Sequence, residues 1–352
     1  MPSEAALQRA LYEAPSLHDL SARAAMGLPD RFVERMSPEL ADQHQDLRGC
    51  TPIELAGLIE DVRAQLDRRR VAGLLLGLGR DPRIHVDSPV MIDVPEGVVH
   101  RGTSPDAVAA VIARWGQVGV RAEWILKETP ASAVPMVGFR IGKYPVTNLE
   151  WREFCLDAGD GAALPTSWPL GVYPVGRSNH PVSSVDEGAA DAYARWLSTK
   201  TGRRFRLPTE FEWEYAARGS DTREFPWGDD WRPDLCNTVE GGPLDTTPVG
   251  LYPGGASAWG VLDMAGNVEE YVADEYRAYP GGETVADDLA ATWGSYRVTR
   301  GGSCTRFGDL ARCARRHGRY PGSLYPVGLR LAEDAQSGLP KITGTRAASQ
   351  TT

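Results

Sequence analysis

The chain has 352 residues, 42% of them hydrophobic, which is enough to bury the core of one large domain with a smaller one. Its net charge of -9 argues against a general phosphate-backbone binder, because such binding depends on clustered lysine and arginine. No apolar run approaches the roughly 18 to 20 residues of a membrane helix, and the N-terminus lacks the features of a signal peptide, so we expect a cytoplasmic protein without membrane contact.

The first 87 residues predict a helical region. Thr51 suits an N-cap and Pro52 a first helical turn, and apolar residues then recur at helical spacing. These residues are Leu55, Leu58, Ile59, Val62 and Leu66. The basic run 68–70 has two interpretations, a nucleic-acid patch or a solvated helix face paired with Asp61 and Asp67, and we favour the solvated face.

Three later helices share one start signal, the capping box, in which a hydroxyl and a glutamate three residues apart satisfy each other's backbone amides. The three pairs are Thr147 with Glu150, Ser184 with Glu187, and Thr209 with Glu212. Glycines follow where a helix C-terminus needs a left-handed residue, at 159, 202 and 219.

The five cysteines are an odd number without CxxC spacing, so they support neither a disulfide framework nor a zinc site. We interpret them as buried thiols. They stand at positions 50, 155, 236, 304 and 313.

Six motifs follow one another within residues 88–333. They are Phe139 to Asn148, His180-Pro181-Val182, Arg206 to Gly219, Pro226-Trp227-Gly228, Gly266 to Glu270 and Arg300-Gly301-Gly302-Ser303. In this order they resemble the formylglycine-generating enzyme (sulfatase-modifying factor) family. The resemblance implies an α+β fold of the irregular C-type-lectin-like kind, with small twisted antiparallel sheets, buried tryptophans and bound calcium. It predicts a domain at 88–333 between the helical region 1–87 and a disordered polar tail at 334–352.

The resemblance also implies a structural calcium site. The matching loop offers carboxylates from Asp263 and Glu270 and carbonyls from Gly266 and Val268. Hard oxygen ligands of this kind suit calcium. A weaker second site would begin at Asn237. The alternative is that the first loop forms only a turn.

Catalysis in this family depends on two cysteines that hold copper and activate oxygen, and the matching positions here are Arg306 and Ala311. A related branch holds non-haem iron with three histidines, but the histidines here are scattered. Neither copper nor iron is therefore expected. Cys304 and His317 remain the alternative catalytic candidates.

The stretch 304–325 mixes aromatic, arginine and small residues, as a binding surface does. It also resembles the variable proteins of diversity-generating retroelements, which diversify this segment of this fold. The predicted binding residues are Thr305, Arg306, Phe307, Asp309, Arg316, His317, Arg319, Tyr320, Ser323, Leu324 and Tyr325.

Two functions follow from these observations. The first is binding of a protein or small-molecule ligand through 304–325, which predicts an exposed, shallow face. The second is an oxygen-dependent metalloenzyme with an altered site, which predicts a closed pocket around Cys304 or His317. A purely structural role is a third, less favoured reading.

Overall fold

A computed structural model describes residues 9, 11, 13, 14, 19–159, 163–320 and 325–335. The α-helices in this part of the chain are α1 (Ala22–Ala25), α2 (Leu40–Leu47), α3 (Pro52–Ile59), α4 (Leu66–Leu78), α5 (Val108–Trp115), α6 (Ala122–Leu126), α7 (Asn148–Ala158), α8 (Glu187–Thr201), α9 (Glu210–Arg218) and α10 (Asp288–Trp293). Among the described residues, no helix has the length and apolar character that crossing a bilayer requires.

The strands are short and form three small sheets. They are β1 (Met91–Val94), β2 (Gly97–Arg101), β3 (Ser132–Met136), β4 (Phe139–Gly142), β5 (Glu269–Glu275), β6 (Arg297–Arg300), β7 (His317–Gly318), β8 (Val327–Leu329) and β9 (Ala332–Asp334). The sheet orders are β1-β4-β9, β2-β3 and β7-β6-β5-β8, and every pairing is antiparallel except β5 with β8. The predicted α+β class with small antiparallel sheets is confirmed.

Most of the predicted helices begin directly after the capping residues that the sequence indicates. Thr51, Thr147 and Thr209 each accept a hydrogen bond from the amide of a glutamate three residues on, and that glutamate accepts one in return. The cap predicted at Ser184 is wrong. Asp186 caps α8 instead, accepting from the Ala189 amide, because Ser184 has a left-handed backbone with φ of 58°.

The N-terminal helical region differs from the prediction in two respects. The helix that begins at Pro52 ends at Ile59, and a second one begins at Leu66. The interpretation of 68–70 as a solvated face is also wrong for two of the three arginines. Arg69 and Arg70 are buried, and Arg69 donates to the carbonyls of Ala64 and Leu251.

This helical region shares a core with the rest of the chain. Apolar residues of α2, α3 and α4 pack against Leu251 and Tyr252, both of which are buried. A larger core lies between α7, α8, α9 and the β5–β6 sheet, where Trp151 stacks on Tyr193 at a ring distance of 5.5 Å. The predicted tail beyond residue 335 lies outside the described residues, while Asp334 ends β9.

Two glycines turn the chain sharply after β6. Gly301 and Gly302 have φ of 95° and 69°, and a Cβ on Gly301 would lie 3.1 Å from the Trp213 ring. A Cβ on Gly302 would lie 2.9 Å from the Leu310 carbonyl carbon. Backbone therefore crosses closely here, and the turn carries residues 304–320 across the end of the β5–β6 sheet.

Candidate functional site

The predicted binding segment does not project from the surface. Asp309, Arg316, Tyr320 and Tyr325 are at most 7% exposed. Thr305, Arg306, Phe307, His317 and Arg319 are only partly exposed. The expected shallow, exposed face is therefore wrong for the described residues. Ser323 and Leu324 lie outside them.

Arginines of the segment are buried against carboxylates from other elements. Arg316 donates to both oxygens of Glu210 at 2.7 and 2.8 Å, and Arg312 to both oxygens of Glu128 at 3.0 and 2.9 Å. Arg300, fully buried, pairs with Glu214. Paired, bidentate arginines can be buried where isolated charges cannot, so these side chains hold the segment in place.

A small cavity lies beneath the segment. It has a volume of about 50 Å³, and polar side chains supply much of its wall. Its walls include Arg306, Phe307, Arg315, His317 and Tyr320 and three carboxylates, Asp287, Asp288 and Asp309. Asp287 pairs with Lys127, and Asp309 pairs with Arg315. We call this space the C-terminal cavity. It has room for one or two waters or for a group of carboxylate size.

His317 in the cavity wall is hydrogen-bonded to a buried carboxylate, Glu269. Glu269 accepts hydrogen bonds from Thr299 at 2.6 Å, from Tyr325 at 2.6 Å and from His317 Nδ1 at 3.0 Å. Burial alone would raise the pKa of Glu269, but the charge and hydrogen bond of His317 and the two hydroxyl donors lower that pKa to about 2. Glu269 is thus ionised and fixes His317.

The His317 ring is oriented by the same contact. Burial lowers the pKa of His317 more than Glu269 raises it. With Nδ1 donating to the carboxylate, the neutral ring has Nε2 as its acceptor. The sheet builds this arrangement, because Thr299 on β6 pairs with His317 on β7.

Arg306 differs from the other arginines of the segment. Its guanidinium lies 4.5 Å from the Tyr325 ring centre, and its hydrogen bonds to described residues go to the Tyr325 hydroxyl and the Thr305 carbonyl. No carboxylate of the described residues lies within 4.0 Å of it. The neighbouring acids have partners of their own, since Asp309 pairs with Arg315 and Glu269 has three donors.

The thiols of this lobe do not fit a copper site. Cys304 and Cys313 are at most 2% exposed, and burial raises the pKa of each thiol to about 12. A metal needs the thiolate, which these surroundings disfavour. Within the described ranges, no three side chains of His, Cys, Asp or Glu converge as ligands would.

The first predicted calcium loop is held by the protein's own donors. Glu270 accepts from Trp213 at 2.7 Å and from Arg330 at 2.7 and 2.9 Å, so its charge is already neutralised. Asp263 accepts from the Gly250 amide at 2.6 Å and from Asn267. Glu270 does not fit a calcium ligand in this arrangement, and calcium at Asp263, Gly266, Val268 and Glu270 stays a prediction.

The weaker predicted site at Asn237 has one feature that suits a cation. Asn237 Oδ1 is buried and has no hydrogen-bond partner among the described residues, while its Nδ2 donates to the Asp245 carbonyl at 2.9 Å. The side-chain oxygen of Asn237 therefore receives no hydrogen bond from a described residue and suits a cation ligand. Asp245, the nearby acid, is paired with Arg177.

Residues 81–335 match the family described as Sulfatase-modifying factor enzyme 1-like domain. The chain belongs to this family. Hercynine oxygenase of Mycobacterium tuberculosis is 34% identical over 242 residues, which cover 59% of this chain and 55% of that protein. Formylglycine-generating enzyme of Streptomyces coelicolor is 38% identical over 183 residues, which cover 46% and 54%. The chain spans about half the length of these sulfatase-modifying factor relatives.

Solved structures carry the same fold. That of PvdO from Pseudomonas aeruginosa is 27% identical with a TM-score of 0.54, and the match covers 70% of this chain and 95% of that one. Treponema denticola variable protein 1 is 18% identical with a TM-score of 0.51 and coverage of 69% and 94%. The resemblance to sulfatase-modifying factor and variable proteins is thereby confirmed at the level of fold.

Sequence reasoning missed Glu269 as a site residue. It assigned importance to the neighbouring Glu270, since only that carboxylate matched the calcium loop. Both residues are buried, because β5 lies in the middle of its sheet and is covered on both faces at this end. Alternation along the strand therefore gave no signal for which carboxylate bonds the cavity-lining His317.

Proposed function

We propose that this protein is a ligand-binding member of the sulfatase-modifying factor family and that the C-terminal cavity recognises an acidic group. The proposal rests on the position and contacts of Arg306. This arginine stands where the family motif has a copper-binding cysteine, it lines the cavity, and no described carboxylate pairs with it. Arg306 is partly exposed and feels the charges of Glu269 and Asp309 without a direct ion pair to either, so an anionic ligand would supply the direct ion pair that it lacks among the described residues.

The surroundings of Arg306 suit recognition of such a group. Tyr325 fixes the guanidinium from one side, and Glu269 holds His317 on the cavity wall. These groups are hydrogen-bonded to one another before any ligand arrives. Preorganised donors lose little entropy on binding, so even a small group can be held specifically.

Oxygen-dependent chemistry is the second candidate function. The names of the relatives, an oxygenase and a formylglycine-generating enzyme, favour it. The protonated thiols and the loss of cysteine at positions 306 and 311 count against a copper site of the family type. Any metal chemistry would therefore need a ligand set different from that of the motif.

Saturation-transfer NMR with sodium acetate tests the binding proposal. We expect acetate to contact the wild-type protein, Arg306→Gln to abolish the signal, and Arg306→Lys to keep part of it because the charge remains. Arg63→Gln, at an exposed arginine outside the cavity, should bind as the wild type does. Equal signals for Arg306→Gln and wild type would refute the proposal. Oxygen uptake by copper- or iron-loaded protein with a cysteine peptide would instead support the second candidate.

A further inference from the structure

An N-terminal segment lies across the C-terminal cavity. This segment, residues 21–36, is called the N-terminal strap here, and it precedes the residues that match the family. Ala25 forms part of the cavity wall. Gly27 lies against Phe307, since a Cβ built on it would be 3.4 Å from the end of the Phe307 ring.

The strap is tied to the same backbone that carries Arg306. Arg35 donates to the Val239 carbonyl at 3.0 Å, and the Val239 amide donates to the Arg306 carbonyl at 3.0 Å. Just before the strap, the Ala14 carbonyl accepts a hydrogen bond from Arg121. The Arg35 contact thus ties the strap to the backbone of Arg306, and the chain shortly before the strap is held by Arg121.

Little apolar burial secures the strap itself. Leu28 is its one buried residue, α1 within it has none, and Phe32 is 80% exposed. Segments with few buried contacts open locally at far lower free energy than the core. By contrast, β5 beneath the cavity has four consecutive buried residues.

We propose that the N-terminal strap is a lid on the C-terminal cavity, which opens by local detachment and controls ligand access to Arg306. The inference rests on the ligand-binding role proposed above, and it explains how a cavity of about 50 Å³ can be reached. In the closed state Ala25 and Gly27 cover the Phe307 side. In the open state that side is free for the body of a ligand whose acidic group enters the cavity.

Hydrogen exchange of the full chain, followed by mass spectrometry, tests the lid. Gly27→Val should detach it, because Gly27 has φ of 64°, a left-handed conformation that a β-branched valine rarely adopts. Gly49→Val is the matched control, since a Cβ there meets nothing within 4 Å. We expect peptides that cover the strap and residues 306–310 to exchange about tenfold faster in Gly27→Val only.

Two further measurements keep the test decisive. Unchanged exchange in β5 shows that Gly27→Val is folded, and Arg35→Ala, which removes one tie, should accelerate the same peptides to a smaller extent. Strap and 306–310 exchange at wild-type rates in both variants would overturn the lid. Because exchange needs no ligand, that outcome would leave acetate binding intact. Failure of acetate binding would instead remove the ligand that the lid admits while leaving the exchange rates unchanged, so the two failures are distinguishable.

Discussion

Arg306 and Arg316 stand ten positions apart in one segment, and their surroundings differ completely. Arg316 is 2% exposed and pairs with both oxygens of Glu210. Among the described residues, Arg306 bonds a hydroxyl and a carbonyl and forms no direct ion pair, although the charges of Glu269 and Asp309 act on it. The first arginine stabilises the fold, whereas the second is suited to a ligand, so residue type alone does not assign the role.

Glu269 gives a prediction at the residue scale. Its pKa of about 2 lies below the ordinary value of 4.5, so its charged form contributes stability that is present above pH 4.5 and is lost as pH falls toward 2. Glu269→Gln should lower the free energy of unfolding at pH 7 by about 3 kcal/mol and flatten its acid dependence. Urea unfolding between pH 3 and 7 measures both effects.

The control for this experiment lies in the same strand. Glu275, at the other end of β5, is exposed. Glu275→Gln should keep the acid dependence of the wild type. A Glu269→Gln protein whose stability still falls as steeply as the wild type toward pH 3 would contradict the assigned pKa.

At the scale of elements, capping chemistry explains where helices begin, and α8 shows its limit. Ser184 has the residue type and spacing of a cap, but its left-handed backbone places it outside the helix. Asp186 takes the role two residues later. Local motifs therefore locate a helix start to within a few residues, and the tertiary path of the preceding loop selects the cap.

Replacing Asp186 tests this assignment. Asp186→Ala removes the acceptor for the Ala189 amide and should cost about 1 kcal/mol of the free energy of unfolding. Asp186→Asn keeps an acceptor and should cost less than about 0.5 kcal/mol. Chemical denaturation measures the difference. Equal stability of the two variants would show that the cap contributes nothing.

At the scale of the whole molecule, the N-terminal helices are part of one folding unit. Gly73 on α4 is a point of close contact, because a Cβ there would lie 2.7 Å from Pro248 and 2.9 Å from Ile59. Nearby, Asn179 donates to the Gly73 carbonyl at 3.0 Å and to Asp81 at 2.9 Å. The helical region is therefore fastened to the family domain by backbone contact.

Gly73→Leu should disrupt this contact and lower the free energy of unfolding by about 2 kcal/mol or more through overpacking. Gly57→Leu is the matched control. Gly57 also lies in a helix of this region, but a Cβ there meets nothing within 4 Å, so the change should be neutral or stabilising by about 0.5 kcal/mol. Thermal and urea unfolding measure the stability of both variants. A tolerated Gly73→Leu would indicate that the two parts are not packed as described.

The sequence by itself determined the fold family, two of the three predicted capping boxes and the loss of the copper-binding cysteines, since each depends on residue type and short spacing. These features depend on residues that are close together in the sequence, so they can be predicted without the tertiary structure.

Only the tertiary structure decided which polar residues are buried. Arg316, Tyr320 and Tyr325 have the composition of a surface, but carboxylates and rings from distant elements enclose them. The partners of Arg316 and His317 lie 106 and 48 positions away in sequence, at Glu210 and Glu269. Charge pairing over such separations leaves no periodic signal, so the cavity and its covering strap became visible only when the chain was folded.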